Sequence, residues 1–327
     1  MIGAGPGAAL RFVRDAWRRV PASWRRRVGQ AINWTGLPYV AGYAAAYEDA
    51  HRAEYFAGNL KDLKETYARV GPPDAVRLTR RIDAIADGLV MRNGVKKTTY
   101  AARQAPTLRA VLSATRVPLP SGPLRVLDVP SSTGTASLDH YALLQEHREI
   151  TSYVLGDLYH GLLYDARRGC VFDEDGHLLQ VALRGSYFSI YRGFTAGDRN
   201  TLLSDLLLLP HGLTAWYLRR RYPFDSTHRC EPLLVLHPEV ERRIGDGVFQ
   251  VARMDVFRPI PGRYNLILSF NLLQRNYFSP STIARGVANL GAALDEGGLL
   301  VLGSTESFVV LHKCGGVLQE VLRDGCF

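Results

Sequence analysis

The chain of 327 residues is short of several things that would have named a function class at once. Its four cysteines, Cys170, Cys230, Cys314 and Cys326, are widely spaced and form no Cys-x-x-Cys pair. That spacing implies neither a zinc site nor a disulfide framework, and it points to reduced thiols in a cytoplasmic protein. The N-terminus lacks an uninterrupted apolar core, so no signal peptide is expected. The most apolar long stretch, Thr201–Leu218, is broken by Asp205, Pro210 and His211, which argues against a membrane span. No Gly-x-Gly-x-x-Gly follows a strand-like run, since Gly3-x-Gly5-x-Gly7 has no strand before it. A nicotinamide dehydrogenase loses its main signature there. Metal-ligand clusters and a nucleophile elbow are missing too, so no metal is expected.

What is present is an ordinary globular balance, with 46% hydrophobic and 22% charged residues. The length allows one large domain plus a smaller one. The net charge of +9 is uneven: residues 1–35 hold seven arginines against the single acid Asp15. Leu10, Val13, Trp17 and Val20 share one helical face, Pro21 ends that helix, and Ser23 is placed to cap a second one carrying Trp24, Val28 and Ile32. One reading is a peripheral contact through residues 10–32 with anionic lipid at the inner face of the membrane, or with an acidic partner. The other is a helix packed on the domain with its arginines in water. Nucleic acid is not an expected partner, because no recognition fold or stacking platform accompanies the charge.

Three regions follow from composition: the basic amphipathic segment 1–35, a helical region 36–122, and a domain over 123–327. The helical region is punctuated by Gly-Pro-Pro at 71–73, carries a polar connection over Lys96–Gln104, and ends in Pro118, Pro120, Gly122 and Pro123. The domain opens on Leu124–Val129, an apolar run carrying Asp128. Small residues follow (Pro130, Ser131, Ser132, Thr133, Gly134), then apolar positions at helical spacing. Strand, tight loop and helix in that order open a doubly wound nucleotide-binding sheet, with helix N–H groups facing a ligand. Ile150–Leu158 reads as the second strand and ends at Asp157, 23 residues past Gly134, where such a fold places a ribose-binding carboxylate. A helix is expected over about His160–Arg168. A large insertion over about 170–247 contains a hairpin turn at Asp173-Glu-Asp-Gly176 and one or two helices over Thr201–Tyr222. Strands return at Val248–Val256, Tyr264–Phe270 and Leu299–Gly303, with a helix at about Pro280–Leu294 and a terminal hairpin over Phe308–Leu322. The expected fold is an α/β, Rossmann-like, seven-stranded methyltransferase sheet with the insertion between its second and third strands.

The residues then resemble a family, the CheR-type S-adenosylmethionine-dependent methyltransferases that esterify chemoreceptor glutamates. Its G-C-S-T-G-E loop resembles Pro130-Ser-Ser-Thr-Gly-Thr135. Its A-x-D-I-D and L-x-x-A-R-x-G resemble Leu155-Gly-Asp-Leu-Tyr159 and Leu163-Tyr-Asp-Ala-Arg-Arg-Gly169. The family V-x-P-E-L is similar to Leu236-His-Pro-Glu-Val240, and F-D-L-I-x-C-R-N-V-L to Tyr264-Asn-Leu-Ile-Leu-Ser-Phe-Asn-Leu-Leu273. Gly297–Phe308 is similar to G-G-x-L-x-L-G-x-x-E-S-L. The match runs in order over roughly residues 96–310. Pro130 stands where the family has a glycine, Phe270 where it has an arginine, and Tyr100 where it has an asparagine.

The resemblance implies S-adenosylmethionine as cofactor. Asp157 then serves the ribose hydroxyls, Asp255 the adenine amino edge or its bound water, and the Ser131–Gly134 turn the methionine portion, with Asp128, Pro130, Leu158 and Val256 also cofactor-binding. Similarity of Thr98–Gln104 to T-T-N-x-T-x-F-F-R-E implies that Arg103 lies near the cofactor carboxylate. Phe270 and Asn271, ending the fourth strand, should border the transferring methyl, with His160 and Tyr277 toward the acceptor. Each has a plain structural alternative: Asp157 and Asp255 as caps, Asn271 as a strand-end partner, Arg103 in a surface ion pair, and the aromatics as packing. A carboxylate acceptor needs no general base, whereas a hydroxyl or amine needs one, with His160 or Glu306 nearest. The expected activity is therefore methyl transfer to a carboxylate or hydroxyl of a small-molecule, lipid-like or protein acceptor. The alternative is a non-catalytic cofactor-binding or membrane-proximal module.

Overall fold

The computed structural model describes residues 58–92, 94–97, 99–183, 186–191, 202–225, 230–275, 277–304 and 307–325. The basic segment 1–35, the region up to residue 57, Glu306 and Cys326 lie outside the described residues. Among the described residues three helices come first: α1 (Gly58–Tyr67), α2 (Pro72–Asp87) and α3 (Ala105–Ser113). Pro72 and Pro73 open α2 at positions whose N–H groups have no intrahelical partner, so the prolines punctuate without breaking. β1 (Leu124–Asp128), α4 (Thr135–Gln145) and β2 (Ile150–Asp157) follow, as read from the sequence. Next come β3 (Gly161–Asp165), β4 (Cys170–Asp173), β5 (Leu178–Leu183), β6 (Ser186–Ser189), α5 (Leu202–Arg221) and β7 (Glu231–Leu234). The chain closes with α6 (Pro238–Gly245), β8 (Gln250–Arg253), β9 (Tyr264–Phe270), α7 (Pro280–Ala293), β10 (Leu294–Gly303), β11 (Phe308–Cys314) and β12 (Val317–Asp324).

Seven strands form one sheet in the order β12-β11-β10-β9-β1-β2-β8. Strands β8, β2, β1, β9 and β10 are parallel, and β11 and β12 close the edge as an antiparallel meander. Both faces are covered, which is why β9 is a wholly apolar run apart from Asn265 and Ser269. On one face Leu108 of α3, Leu144 of α4 and Val240 of α6 pack on Val126, Leu155 and Leu268; on the other Leu290 and Ala293 of α7 pack on Leu127, Ile267 and Leu300. Ser279 caps α7 by accepting the Thr282 N–H. This is the doubly wound, Rossmann-like, seven-stranded sheet expected from the sequence. The strand order reverses between β1 and β9, and a ligand belongs outside the carboxyl ends of strands at that point.

The second sheet, β6-β5-β4-β3-β7, is antiparallel and falls between β2 and β8 in the chain. It corrects one expectation: His160–Arg168 is not a helix. Gly161–Asp165 is a strand that turns back into β4. Asp165 decides it, because its Oδ1 accepts the N–H groups of both Arg167 and Arg168 and so caps a turn where a helix would have needed its next residues. Gly169 completes the turn at φ +61°, and a Cβ there would meet the Ala182 methyl at 2.6 Å. The hairpin expected at Asp173–Gly176 does join β4 to β5, with the Gly176 N–H on the Asp173 carbonyl.

The insertion is not an isolated appendage. Leu78, Ile82, Ile85 and Leu89 of α2 share one buried cluster with Leu162, Val171, Leu179 and Leu233 of the second sheet. Ala215 and Leu218 of α5 pack with Phe172, Val181 and Phe188 in another. No helix among the described residues is long and apolar enough to cross a membrane. Cys170, Cys230 and Cys314 are free thiols.

Candidate functional site

Past β1 the chain turns through Val129 to Gly134 before α4 begins. Backbone bonds fix that turn: Val129 N–H donates to Leu268 O at 2.9 Å and Ser131 N–H to Gly156 O at 2.9 Å. Val129–Pro130 is a cis peptide. Ser132 sits at φ +54°, a left-handed conformation that favours glycine, and it is held by its Oγ on the Lys97 carbonyl (2.8 Å) and its N–H on Asp157 Oδ2 (2.8 Å).

A cavity of about 320 Å³ opens where these strands end. Asp128 and the Pro130–Ser132 run reach it from β1, and Asp157 and Leu158 from β2. Asp255 and Val256 line it just past β8, and Phe270 and Asn271 at the end of β9. The sequence brought these ten residues together as a cofactor site, and the fold places them in one wall. The opposite wall comes from the connection between α2 and α3, including Arg92, Lys97, Thr99 and Gln104.

Five of the expected residues lie outside the cavity wall. Thr133 and Gly134 face the other way: the Thr133 hydroxyl bonds to Thr135 (2.8 Å) and to Asp83 of α2 (3.3 Å). A Cβ at Gly134, which caps α4 at φ +76°, would meet Val240 at 2.9 Å. Only the first half of the loop faces the cavity. Arg103 lies with its guanidinium 5.8 Å from the Tyr100 ring, and its neighbour Gln104 takes the place in the wall. Tyr277 packs near Phe278 instead, with ring centres 6.3 Å apart.

His160 is buried behind the loop, 3.2 Å from Ser131 Oγ through Nε2. Burial, with the charge of Lys97, drops its pKa to about 4 against the opposing pull of Asp157, so it is neutral near pH 7.

The acids divide by environment. Asp157 is buried and accepts from Lys97 Nζ at 2.8 Å, from the Ser132 N–H and from the Tyr159 N–H. Burial pushes its carboxyl up, but Lys97, His160 and the Ser132 N–H outweigh that and hold it below the usual range. Asp255 is half-buried; it faces the cavity and also caps its own turn, accepting the Phe257 N–H at 3.0 Å. Asn271 has φ +59°, donates its N–H to Gly303 O at 2.7 Å and accepts from Gln274. Gly303 must be glycine, since a Cβ would meet the Phe270 ring at 2.7 Å.

Sequence reasoning missed Lys97, His140 and Gln104. Lys97 was read within a polar connection; nothing local shows that its partner lies sixty residues on. His140 in the second turn of α4 places Nδ1 2.8 Å from Asp128 Oδ2, which also accepts the Tyr153 hydroxyl at 2.9 Å. Asp83 was missed as well. It is buried, bonded to Thr135 Oγ1 at 2.9 Å, and burial raises its pKa to about 7.

Asp173, Asp175 and His177 bring their ligand atoms within 4.8 Å of one another at the β4–β5 turn. Both His177 ring nitrogens are engaged, by Asp173 and by Arg92, while Asp175 holds Arg253 and the Tyr159 hydroxyl. With two arginines already balancing the acids, the group braces the turn against the cavity rim.

No family model and no curated protein matches the chain. Among solved structures it is similar to the N-methyltransferase NodS from Bradyrhizobium japonicum in complex with S-adenosyl-L-homocysteine, at 12% identity and a TM-score of 0.27, covering 62% of each chain. An O-methyltransferase family protein from Burkholderia thailandensis matches at 11% identity and a TM-score of 0.32, over 84% of this chain and 53% of that one. Magnesium protoporphyrin IX methyltransferase from Synechocystis, with bound SAM, matches at 9% identity and 0.27, over 83% and 92%. The chain thus spans between about half and two thirds of the first two proteins' lengths.

Proposed function

We propose that this chain is an S-adenosylmethionine-dependent methyltransferase that holds its donor in the strand-end cavity. One observation carries the reading: four parallel strands, β1, β2, β8 and β9, deliver Asp128, Asp157, Asp255 and Asn271 to one cavity beside the switch point. The residues suit the donor. Asp157 has acceptor capacity left for a ribose hydroxyl, Asp255 faces the adenine position, and Pro130–Ser132 offers a close backbone approach. When bound, the sulfonium supplies a methyl group with a neutral thioether as leaving group. The protein aligns the acceptor in line, excludes water, and lets Phe270 and Asn271 border the methyl.

The acceptor in this reading is a carboxylate or hydroxyl on a small-molecule, lipid-like or protein substrate; the chemoreceptor-type glutamate is the protein form of the carboxylate class. His160, neutral and bonded to Ser131, supports the loop rather than moving a proton. The cytoplasmic face of a membrane, reached through residues 10–32, is where a lipid-like acceptor would be met. Calorimetry with S-adenosylmethionine tests the site, and transfer of radiolabelled methyl into a cell extract tests the activity.

A second reading, a binding module without catalysis, draws on two features. Lys97 already occupies one oxygen of Asp157, and Pro130 has no N–H to offer a ligand. Cofactor binding with no methyl transfer would select it.

A further inference from the structure

Helix α5 has a buried face and a face in water. His211, Thr214, Ala215 and Leu218 are buried; Ala215 and Leu218 pack with Phe172 and Phe188, and the His211 ring stacks on Phe188 with centres 4.9 Å apart. The opposite face carries Leu213, Trp216 and Tyr217, which are 59%, 53% and 45% exposed. With Arg220 they stand at i, i+3, i+4 and i+7, so they form one contiguous stripe. The last turn is Arg219-Arg220-Arg221, all three exposed. Each guanidinium lies by an aromatic ring: Arg220 is 4.4 Å from the centre of the Trp216 ring, Arg219 5.6 Å from Tyr191 and Arg221 5.6 Å from Tyr222. No carboxylate among the described residues pairs with any of the three. Arg167 adds a further exposed cation, in the β3–β4 turn that Arg168 ties to the Pro223 carbonyl at 3.2 Å.

Cations suit a helix C-terminus, and single apolar side chains in water are ordinary. Neither accounts for three large apolar side chains in one stripe that ends in three arginines. Charge decides what covers the stripe. Residues 206–224 contain no acid, so the surface asks for negative charge. The segment 1–35, with seven arginines against one acid, would be repelled. A second copy docked patch to patch would set the two arginine triplets against each other. An anionic bilayer meets both parts of the stripe: its headgroups take the guanidiniums, and its acyl boundary takes Leu213 and Trp216. We infer that the outward face of α5, formed by Leu213, Trp216 and Tyr217 with Arg220 and Arg221, is a docking surface for an anionic lipid bilayer. This surface is distinct from residues 10–32 and is independent of the methyl-donor site.

The full chain is sedimented with phosphatidylcholine vesicles that contain or lack phosphatidylserine. It should bind the anionic vesicles, and added salt should weaken that binding. Replacing two arginines together, Arg220→Gln with Arg221→Gln, should weaken it about thirtyfold, from roughly fivefold for each cation at the surface. Trp216→Ser should weaken it by about tenfold or more, since the ring loses its place in the acyl boundary. All three side chains are exposed, so urea unfolding of these variants should match wild type and separate docking from folding. A second measurement leaves α5 intact. Trp17→Phe, Trp24→Phe and Trp34→Phe together make Trp216 the sole tryptophan of the four. Its emission should then shift to the blue on anionic vesicles and be quenched by lipids brominated in their acyl chains.

Any one of three results overturns the docking surface: no binding to anionic vesicles, binding that the α5 substitutions leave unchanged, or vesicle binding with Trp216 emission unaltered. The last would move the attachment to another segment such as residues 10–32. Binding to polyglutamate but not to vesicles would make the stripe a site for an acidic protein. Self-association that Trp216→Ser abolishes, without vesicle binding, would make it an interface between copies. Each of these also overturns the lipid assignment.

Discussion

The two sheets make opposite use of the same kind of side chain. In the seven-stranded sheet, β1 and β9 are covered on both faces, so their apolar character is nearly continuous and visible in any short window of sequence. In the five-stranded sheet, strands of four to six residues are covered on one side by α1 and α2, which lie about a hundred residues away in the chain, and on the other by α5, which falls between β6 and β7. The first sheet's burial is local information; on one face of the second it is supplied by α1 and α2, partners that only the fold brings near. The cavity joins the strand ends of the first sheet to the connection between α2 and α3, the helix pair on whose first member the second sheet packs.

The comparison is sharpest at the ion pair that ties the walls together. Lys97→Met should be among the most damaging single changes, costing about 3–5 kcal/mol by leaving the buried Asp157 carboxylate without its cation. Chemical denaturation with urea checks it, and a loss below about 1 kcal/mol would make the two walls independent. Ile267→Ala in β9 and Phe172→Ala in β4, both fully buried, should cost about 2–5 and 3–5 kcal/mol. If the second sheet is part of the same cooperative structure, both variants unfold in one transition; two separate transitions for Phe172→Ala would divide the sheets.

A smaller effect is expected from Asp83, which links α2 to the β1–α4 loop. Its folded pKa of about 7 lies above the ordinary aspartate value of 3.8, so its contribution to stability is complete below about pH 4 and is lost as pH rises through about 7. Asp83→Asn, which keeps an acceptor for Thr135, should flatten that decline and be more stable than wild type at pH 8 by about 2–4 kcal/mol. Melting temperatures at pH 5 and pH 8 decide it; parallel shifts at both pH values would contradict the assignment. Smallest of all, Val251→Ala on the exposed edge of β8 should change stability by less than about 0.5 kcal/mol.

How much could be read beforehand follows the same division. Tyr264–Phe270 was legible to the residue because a fully apolar run has one reading in a parallel sheet. Asp128, Asp157, Asp255 and Asn271 were legible because strand ends carry the chemistry of this fold. Gly161–Asp165 was misread as helix: Leu162, Leu163 and Ala166 are spaced for one, and only the side-chain cap of Asp165 says otherwise. Arg103 was expected from the similarity of Thr98–Gln104 to a motif that carries an arginine, whereas an unpaired carboxamide becomes conspicuous only once it is buried. Thr133 and Gly134 belong to the loop by sequence but serve α2 and α6 by contact.

The most direct measurement is a crystal structure of the full chain grown with S-adenosylhomocysteine. The prediction is ligand density in the strand-end cavity, its ribose on Asp157 and its adenine beside Asp255 and Val256. Density for the ligand elsewhere on the chain, or an empty cavity at saturating ligand, would contradict it.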